Sequence, residues 1–200
     1  MKKVCVVTGG GSGIGFAAAK EAAKKGYYVM IVGRNEKKLA GAVEELRKDG
    51  CEAEAYSCDV SDREHCFALA RHAAECGAVK AVLHIAGMSP HMGDAEKIMQ
   101  ANALGTVNIN DAFFEVIAEG GCVIDTSSTS AYMAPSFIMP KRVYPLACTD
   151  RKLFMDKMMK KVNKRLRKAK MKSNVLMEMA EDLKDLITNA KIYKQLKHKK

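Results

Sequence analysis

Residues 8–15 read Thr-Gly-Gly-Gly-Ser-Gly-Ile-Gly. These types and spacings suit the binding of a diphosphate. At Gly9 and Gly13 the missing Cβ lets backbone come close to a phosphate. At Gly15 it lets a helix pack close to a strand. The candidate binding stretch is therefore Thr8, Gly9, Gly11, Ser12, Gly13, Ile14 and Gly15. Its exposed N–H groups and the positive end of a following helix dipole attract negative charge. Such a turn carries this meaning only between a strand and a helix.

The flanks supply both elements. Val4-Cys5-Val6-Val7 is a short apolar run, and Phe16 to Lys25 is rich in alanine. Further along, strand and helix alternate. Strands are predicted over 3–8, 28–33, 52–57, 79–85 and 121–127, and helices over 13–25, 35–48, 62–75 and 95–118. Ala81-Val82-Leu83-His84-Ile85 is nearly all apolar, as expected of a strand covered on both faces. The alternation implies right-handed crossovers and a parallel sheet. Asn35 is a candidate cap for the second helix and Gly50 its stop. Ser61, with Glu64 three residues on, is a candidate capping box for the third. From 129 to 150 the pattern breaks at Pro135, Pro140 and Pro145.

At this point the chain resembles the short-chain dehydrogenase/reductase family. The resemblance covers about residues 1–130. It rests on Thr8-Gly9-x-x-x-Gly13-x-Gly15, Asp59-Val60, Ala86-Gly87, Asn102 and Ser127-Ser128, in the family's order. It implies a Rossmann-type, doubly wound parallel sheet in three α/β/α layers. It implies hydride transfer between a nicotinamide cofactor and a small alcohol or carbonyl substrate. Gly33-Arg34-Asn35 ends the second strand without an acid, and the Arg34 guanidinium suits a 2′-phosphate, so NADP is expected over NAD. Asp59 is expected to accept from the adenine amino group, and Ala86-Gly87 to leave room for the cofactor. In the family, the Asn102 counterpart helps organise a water-linked proton path and the Ser128 counterpart orients the reacting carbonyl. His84, where the family usually has Asn, reads as a packed strand residue.

The chain departs from the family at the proton donor. The family places Tyr-x-x-x-Lys on the next helix, where Lys lowers the Tyr pKa. Here Tyr132 is followed four residues later by Ser136, and Tyr144 by Cys148. The one match, Tyr193 with Lys197, lies in a Lys-rich stretch where it arises easily by accident. The alternative reading is a cofactor-binding but catalytically impaired member, or an interaction module.

The net charge of +10 is unevenly spread. Residues 1–150 hold 16 Lys and Arg against 18 Asp and Glu; residues 151–200 hold 17 against 5. A near-neutral nucleotide-binding domain, 1–150, is thus expected before a basic helical extension, 151–200. Leu153, Met158, Val162 and Leu166 keep roughly helical spacing there, as do Leu176, Met179, Leu183, Leu186 and Ile187. The extension reads as the start of an insertion, a helical cover for the sheet edge, or a basic arm for an acidic partner. Only Phe154 and Tyr193 are aromatic in it, so nucleic acid is not expected. Family members are commonly dimers or tetramers, which leaves homo-oligomerisation open. The seven cysteines have no Cys-x-x-Cys spacing. They read as free thiols in a reducing cytoplasm, without a metal site. The N-terminal apolar run is too short for a secretory signal, and no apolar run is long enough to span a membrane.

Overall fold

The run Val29-Met30-Ile31-Val32, like Val4 to Val7, is dominated by branched side chains. These pack well on a pleated surface and lose rotamer freedom in a helix. In the computed structural model, which describes residues 1–89, 91–128 and 140–169, both runs are strands. β1 (Lys3–Thr8), β2 (Tyr28–Gly33), β3 (Ala53–Ser57), β4 (Ala78–His84) and β5 (Ile117–Asp125) form one sheet in the order β3-β2-β1-β4-β5. Every pairing is parallel.

Side chains alternate across this sheet. Cys5, Val7, Val29 and Ile31 face α1 (Gly13–Lys24) and α2 (Glu36–Lys48), where Ala19, Leu39 and Leu46 complete one core. Val4, Val6, Met30 and Val32 face α3 (Arg63–Cys76) and the later part of α5 (Gly105–Val116), where Leu69, Ile109 and Phe113 complete the other. This is the three-layer, doubly wound arrangement expected. Strand order reverses at β1, the switch point where such sheets hold ligands.

The chain forms two compact units. The first comprises residues 1–86 and 108–126; the second comprises 87–107 and the described part of 127–200. The second unit contains α4 (Ala95–Ile98), a wide π-helical turn (Met99–Leu104), a 3-10 turn (Lys141–Val143), α6 (Leu146–Thr149) and α7 (Arg151–Ala169). Its core gathers Ile98, Met99, Val107, Tyr144, Phe154, Met158 and Val162.

Several local expectations hold. The Asn35 side chain accepts from the Lys38 N–H. After α2, the Gly50 N–H donates to Arg47 and the Cys51 N–H to Leu46, the paired closure of a glycine-stopped helix. Beyond those expectations, the Asp150 carboxylate accepts from the Leu153 N–H at 2.9 Å and caps α7.

Three expectations are corrected. Asp62, not Ser61, caps α3 by accepting from the His65 N–H. The Ser61 hydroxyl is spent on the Asp59 carboxylate, 2.7 Å away. Helix 95–118 stops at Val116, because Ile117 already pairs with Val79 in the sheet. Gly120 then takes φ +71, and a Cβ on Gly121 would lie 3.0 Å from the Val79 carbonyl. That pinch shifts the register to Cys122 against Ala81. Finally, Phe154 rather than Leu153 leads the buried stripe of α7. Phe154 lies four residues before Met158, on one helix face, whereas Leu153 lies five before. Leu153 is 38% exposed and Phe154 fully buried. The Leu166 side chain and the stripe Leu176–Ile187 lie outside the described residues.

The ends of β1 and β4 are locked by a buried polar cluster. The Thr8 hydroxyl lies 2.8 Å from His84 Nδ1 and accepts from the Ile85 and Ala86 N–H groups, both at 3.1 Å. These contacts tie the end of β1 to the chain leaving β4 through one hydroxyl. His84 is fully buried, a packed strand residue as expected.

Two stability predictions follow from these contacts. Thr8→Val keeps the volume but deletes the hydroxyl, so urea denaturation should show a loss of about 1–3 kcal/mol. Phe154→Ala should cost about 3–5 kcal/mol, and Leu153→Ala less than about 1 kcal/mol. Equal losses at positions 153 and 154 would contradict the packing of α7.

Candidate functional site

The turn after β1 is closed by close backbone contacts. Gly9 adopts φ +69, a region L side chains rarely enter. A Cβ on it would lie 3.0 Å from the Ala86 nitrogen and 3.1 Å from its Cα. The Gly9 N–H donates to the Val32 carbonyl at 2.8 Å, fixing the turn to the end of β2. A Cβ on Gly15 would lie 2.2 Å from the Gly9 carbonyl oxygen. Gly15 thus lets α1 approach the turn's own backbone, a tighter constraint than the helix–strand packing expected of it. Gly13 has φ +56, and a Cβ there would meet nothing within 4 Å; its requirement is conformational. Gly11 lies beside Leu39, and Ile14 is exposed.

The start of α1 differs electrostatically from its neighbours. Ser12 is its N-cap but makes no side-chain capping bond, and the first turn holds no acid. In α2, α3 and α4, by contrast, Asn35, Asp62 and Asp94 each accept from a first-turn N–H. The first N–H groups of a helix have no intrahelical partner. At α1 they are left without an acceptor from its cap residue's side chain, on the turn where an anion is expected.

The same unit brings Arg34, Asp59, Val60 and Ala86 to the carboxyl ends of β2, β3 and β4. Arg34 Nη1 stands 3.8 Å from Asp59 Oδ2, with its side chain 58% exposed. Asp59 also accepts from the Ser61 N–H at 2.9 Å and the Ser61 hydroxyl at 2.7 Å. Partial burial pushes this carboxyl up, but the Ser61 bonds, with Arg34, outweigh it and hold it below its ordinary value. A depressed carboxyl contributes stability above its unfolded pKa. That stability is lost as pH falls through the lower folded value.

The sequence reading missed Asn108. Buried on α5, its Nδ2 donates to the carbonyls of Val60 at 2.9 Å and Ser61 at 3.1 Å. Asn110 Nδ2 donates likewise to Asp125 Oδ2 at 2.9 Å. The available signal was Val107-Asn108-Ile109-Asn110, amides set among apolar residues in a buried helix.

Gly87, Asn102 and Ser128 belong to the second unit. Asn102 lies buried on the π-helical turn. Its Oδ1 accepts from the Met88 N–H at 2.7 Å, and its Nδ2 donates to the Met88 carbonyl at 3.0 Å. Its own carbonyl accepts from the Thr106 hydroxyl at 2.8 Å. A Cβ on Gly87 would lie 3.4 Å from Asn102 Oδ1, so this glycine makes room for that clamp. Ser128 is half-buried, three residues beyond β5. Tyr144 is buried in the core beside Ala147 and Phe154. Tyr132, Ser136, Tyr193 and Lys197 lie outside the described residues.

This geometry agrees with what the chain is similar to. A family model described as short chain dehydrogenase matches residues 3–177. A sorbose reductase of Schizosaccharomyces pombe is 33% identical over 146 residues, which cover 66% of this chain and 57% of that protein. An A-factor type gamma-butyrolactone 1'-reductase of Streptomyces virginiae is 31% identical over 150 residues, covering 69% of this chain and 58% of the relative. The chain thus spans little more than half the length of these relatives. Among solved structures, a variant of actinorhodin polyketide ketoreductase with NADPH superposes with a TM-score of 0.60 at 25% identity, over 68% of this chain and 56% of that one. A short-chain dehydrogenase from Shigella flexneri complexed with NADP superposes with a TM-score of 0.60 at 26% identity, over 66% and 62%. Among the described residues, no helix is long and apolar enough to cross a membrane. On this match of family model, fold and relatives, the chain belongs to the short-chain dehydrogenase family.

Proposed function

We propose that this chain binds NADP(H) at the glycine turn and serves hydride transfer between the nicotinamide and a small alcohol or carbonyl substrate. The observation that carries the reading is the turn itself. Backbone atoms of Ala86 and Gly9 occupy the places that side chains at Gly9 and Gly15 would need. The α1 N-terminus beside them lacks a side-chain cap and an acid. A diphosphate fits such a cradle, since it needs close backbone and unclaimed N–H donors.

When bound, the nicotinamide supplies or accepts the hydride; this chain's own residues hold and orient the two reactants. Residues Gly9, Gly11, Ser12, Gly13, Ile14 and Gly15 would take the diphosphate, with the buried Thr8 fixing the start of their turn. Arg34 would take the 2′-phosphate, Asp59 with Val60 the adenine end, and Ala86 with Gly87 the space beside β4. Ser128 would hydrogen-bond the reacting oxygen, and Asn102 would organise the proton path. The ketoreductase with NADPH and the Shigella protein with NADP support a nicotinamide cofactor.

A second reading is cofactor binding without efficient turnover. Its support is Tyr144. It is the one tyrosine beyond β5 among the described residues; it is only 2% exposed and carries Cys148 where the family has Lys.

Fluorescence titration should show NADP(H) bound more tightly than NAD(H). Arg34→Ala should weaken NADP(H) binding about tenfold or more, equivalent to about 1.4 kcal/mol, and leave NAD(H) nearly unchanged. Equal or tighter NAD binding by the unaltered chain would refute the preference. Steady NADPH oxidation across a panel of carbonyl compounds would establish the enzyme; NADPH binding without turnover would establish the second reading. Absence of binding to either cofactor would end both.

A further inference from the structure

Three side chains of metal-ligating type converge at the opposite end of β3 from Asp59. Glu54 is the second residue of β3, and His72 and Cys76 sit one turn apart near the end of α3. All three are half-buried, and their ligand atoms lie within 4.8 Å of one another. Glu54 Oε1 is 3.0 Å from His72 Nε2, Cys76 Sγ is 3.4 Å from Glu54 Oε1, and Sγ is 3.8 Å from Nε2.

We propose that Glu54, His72 and Cys76 bind a divalent transition-metal ion of the zinc class, clamping the edge strand β3 to α3. Tetrahedral zinc, with bonds of about 2.0–2.3 Å, sets its oxygen and nitrogen ligands about 3.3 Å apart and its sulfur about 3.5 Å from either. The triangle observed here departs from those separations by roughly 0.3 Å at most. One thiolate, one imidazole and one carboxylate select zinc-class ions over magnesium or calcium, which prefer all-oxygen sites. A water would fill the fourth position.

The surroundings match what holds metal ligands in place. His72 Nδ1 faces Glu75 Oε2 at 3.9 Å, a carboxylate behind the imidazole. The Tyr56 ring lies against the His72 ring, with centroids 5.2 Å apart. Lys2, the nearby cation, is engaged by Glu52 and lies over the Tyr28 ring. On binding, the Cys76 S–H proton leaves to solvent and the sulfur ligates as thiolate. His72 binds neutral through Nε2 with its hydrogen on Nδ1, and Glu54 binds as carboxylate, so one proton is released per ion. No Cys-x-x-Cys spacing announced this site, because Glu54 lies eighteen residues before His72 on another element.

The test is titration of the reduced, metal-free full chain with Co2+. A thiolate-to-cobalt charge-transfer band should appear in the near ultraviolet, saturate at one equivalent and vanish on adding Zn2+. Cys76→Ser should abolish that band. His72→Gln and Glu54→Gln should each weaken cobalt binding at least about tenfold, and the exposed Glu75→Gln by less than either. NADP(H) binding should be unchanged in all four variants, which separates this result from the proposed function. No band at stoichiometric Co2+ would overturn the site. So would a band that survives Cys76→Ser, which would place the metal on other thiols such as Cys58 and Cys66. Should Cys76→Ser fail to fold, unchanged cobalt affinity in His72→Gln overturns it instead.

Discussion

The approach of Gly15 to the Gly9 carbonyl sets the geometry of the turn after β1. A Cβ on Gly15 would stand 2.2 Å from that oxygen, well inside van der Waals contact, so the turn closes only with glycine there. The same closeness continues along α1, whose buried face is Ala19, Ala22 and Ala23. Small residues let the helix lie low on the sheet. Gly9 in turn is bonded to Val32 of β2, and Thr8 is bonded to the chain after β4. The end of the central strand is therefore tied to both neighbours within two residues. The phosphate cradle proposed for this turn needs such fixing, because it is built of backbone and no side chain is there to adjust.

Electrostatics divides the cradle into a fixed part and an adjustable part. The uncapped start of α1 is fixed, since its donors belong to the helix. Arg34 is adjustable. It is mostly exposed, and its pairing with Asp59 at 3.8 Å is of a kind worth at most about 1 kcal/mol. Turning that guanidinium toward a phosphate costs little. Asp59 keeps its place regardless, because two bonds from Ser61 hold its other oxygen.

What the sequence made legible was local. The glycine turn, the alternation of elements, the Asn35 cap and the Gly50 stop each depend on residues within a few positions, and each appears in the structure. What it hid was settled by distant partners. Ser61 and Asp62 are both good capping residues, and the choice fell to Asp62 because Asp59 claims the Ser61 hydroxyl. Ile117 could continue a helix until Val79 offers it a ladder position. Leu153 and Phe154 are both apolar, and only the face shared with Met158 separates them. Glu54, His72 and Cys76 come from two elements and have no linear signature. The residues proposed to bind cofactor carried their meaning in spacing; the proton donor did not, because Tyr132 and Tyr144 both lack the Lys that the family's spacing requires.

The amides of α5 show why polar residues occur where the hydrophobic pattern would exclude them. Burying an amide is unfavourable unless its hydrogen-bonding groups find partners. Asn108 is 1% exposed, yet its Nδ2 serves two carbonyls, those of Val60 and Ser61, that lie just past the end of β3 and have left the sheet ladder. A leucine at 108 would suit the helix and remove this donor from both carbonyls. Backbone groups at strand ends need acceptors or donors from somewhere, and here a neighbouring helix supplies them. Asn110 supplies the Asp125 carboxylate at the end of β5 in the same way. The loop after β3 is therefore held twice, from α5 through Asn108 and within itself through the Ser61 bonds to Asp59. Hydrophobic burial thus sets the layers of this fold, and a few buried amides set the positions of the loop ends at the carboxyl edge of the sheet.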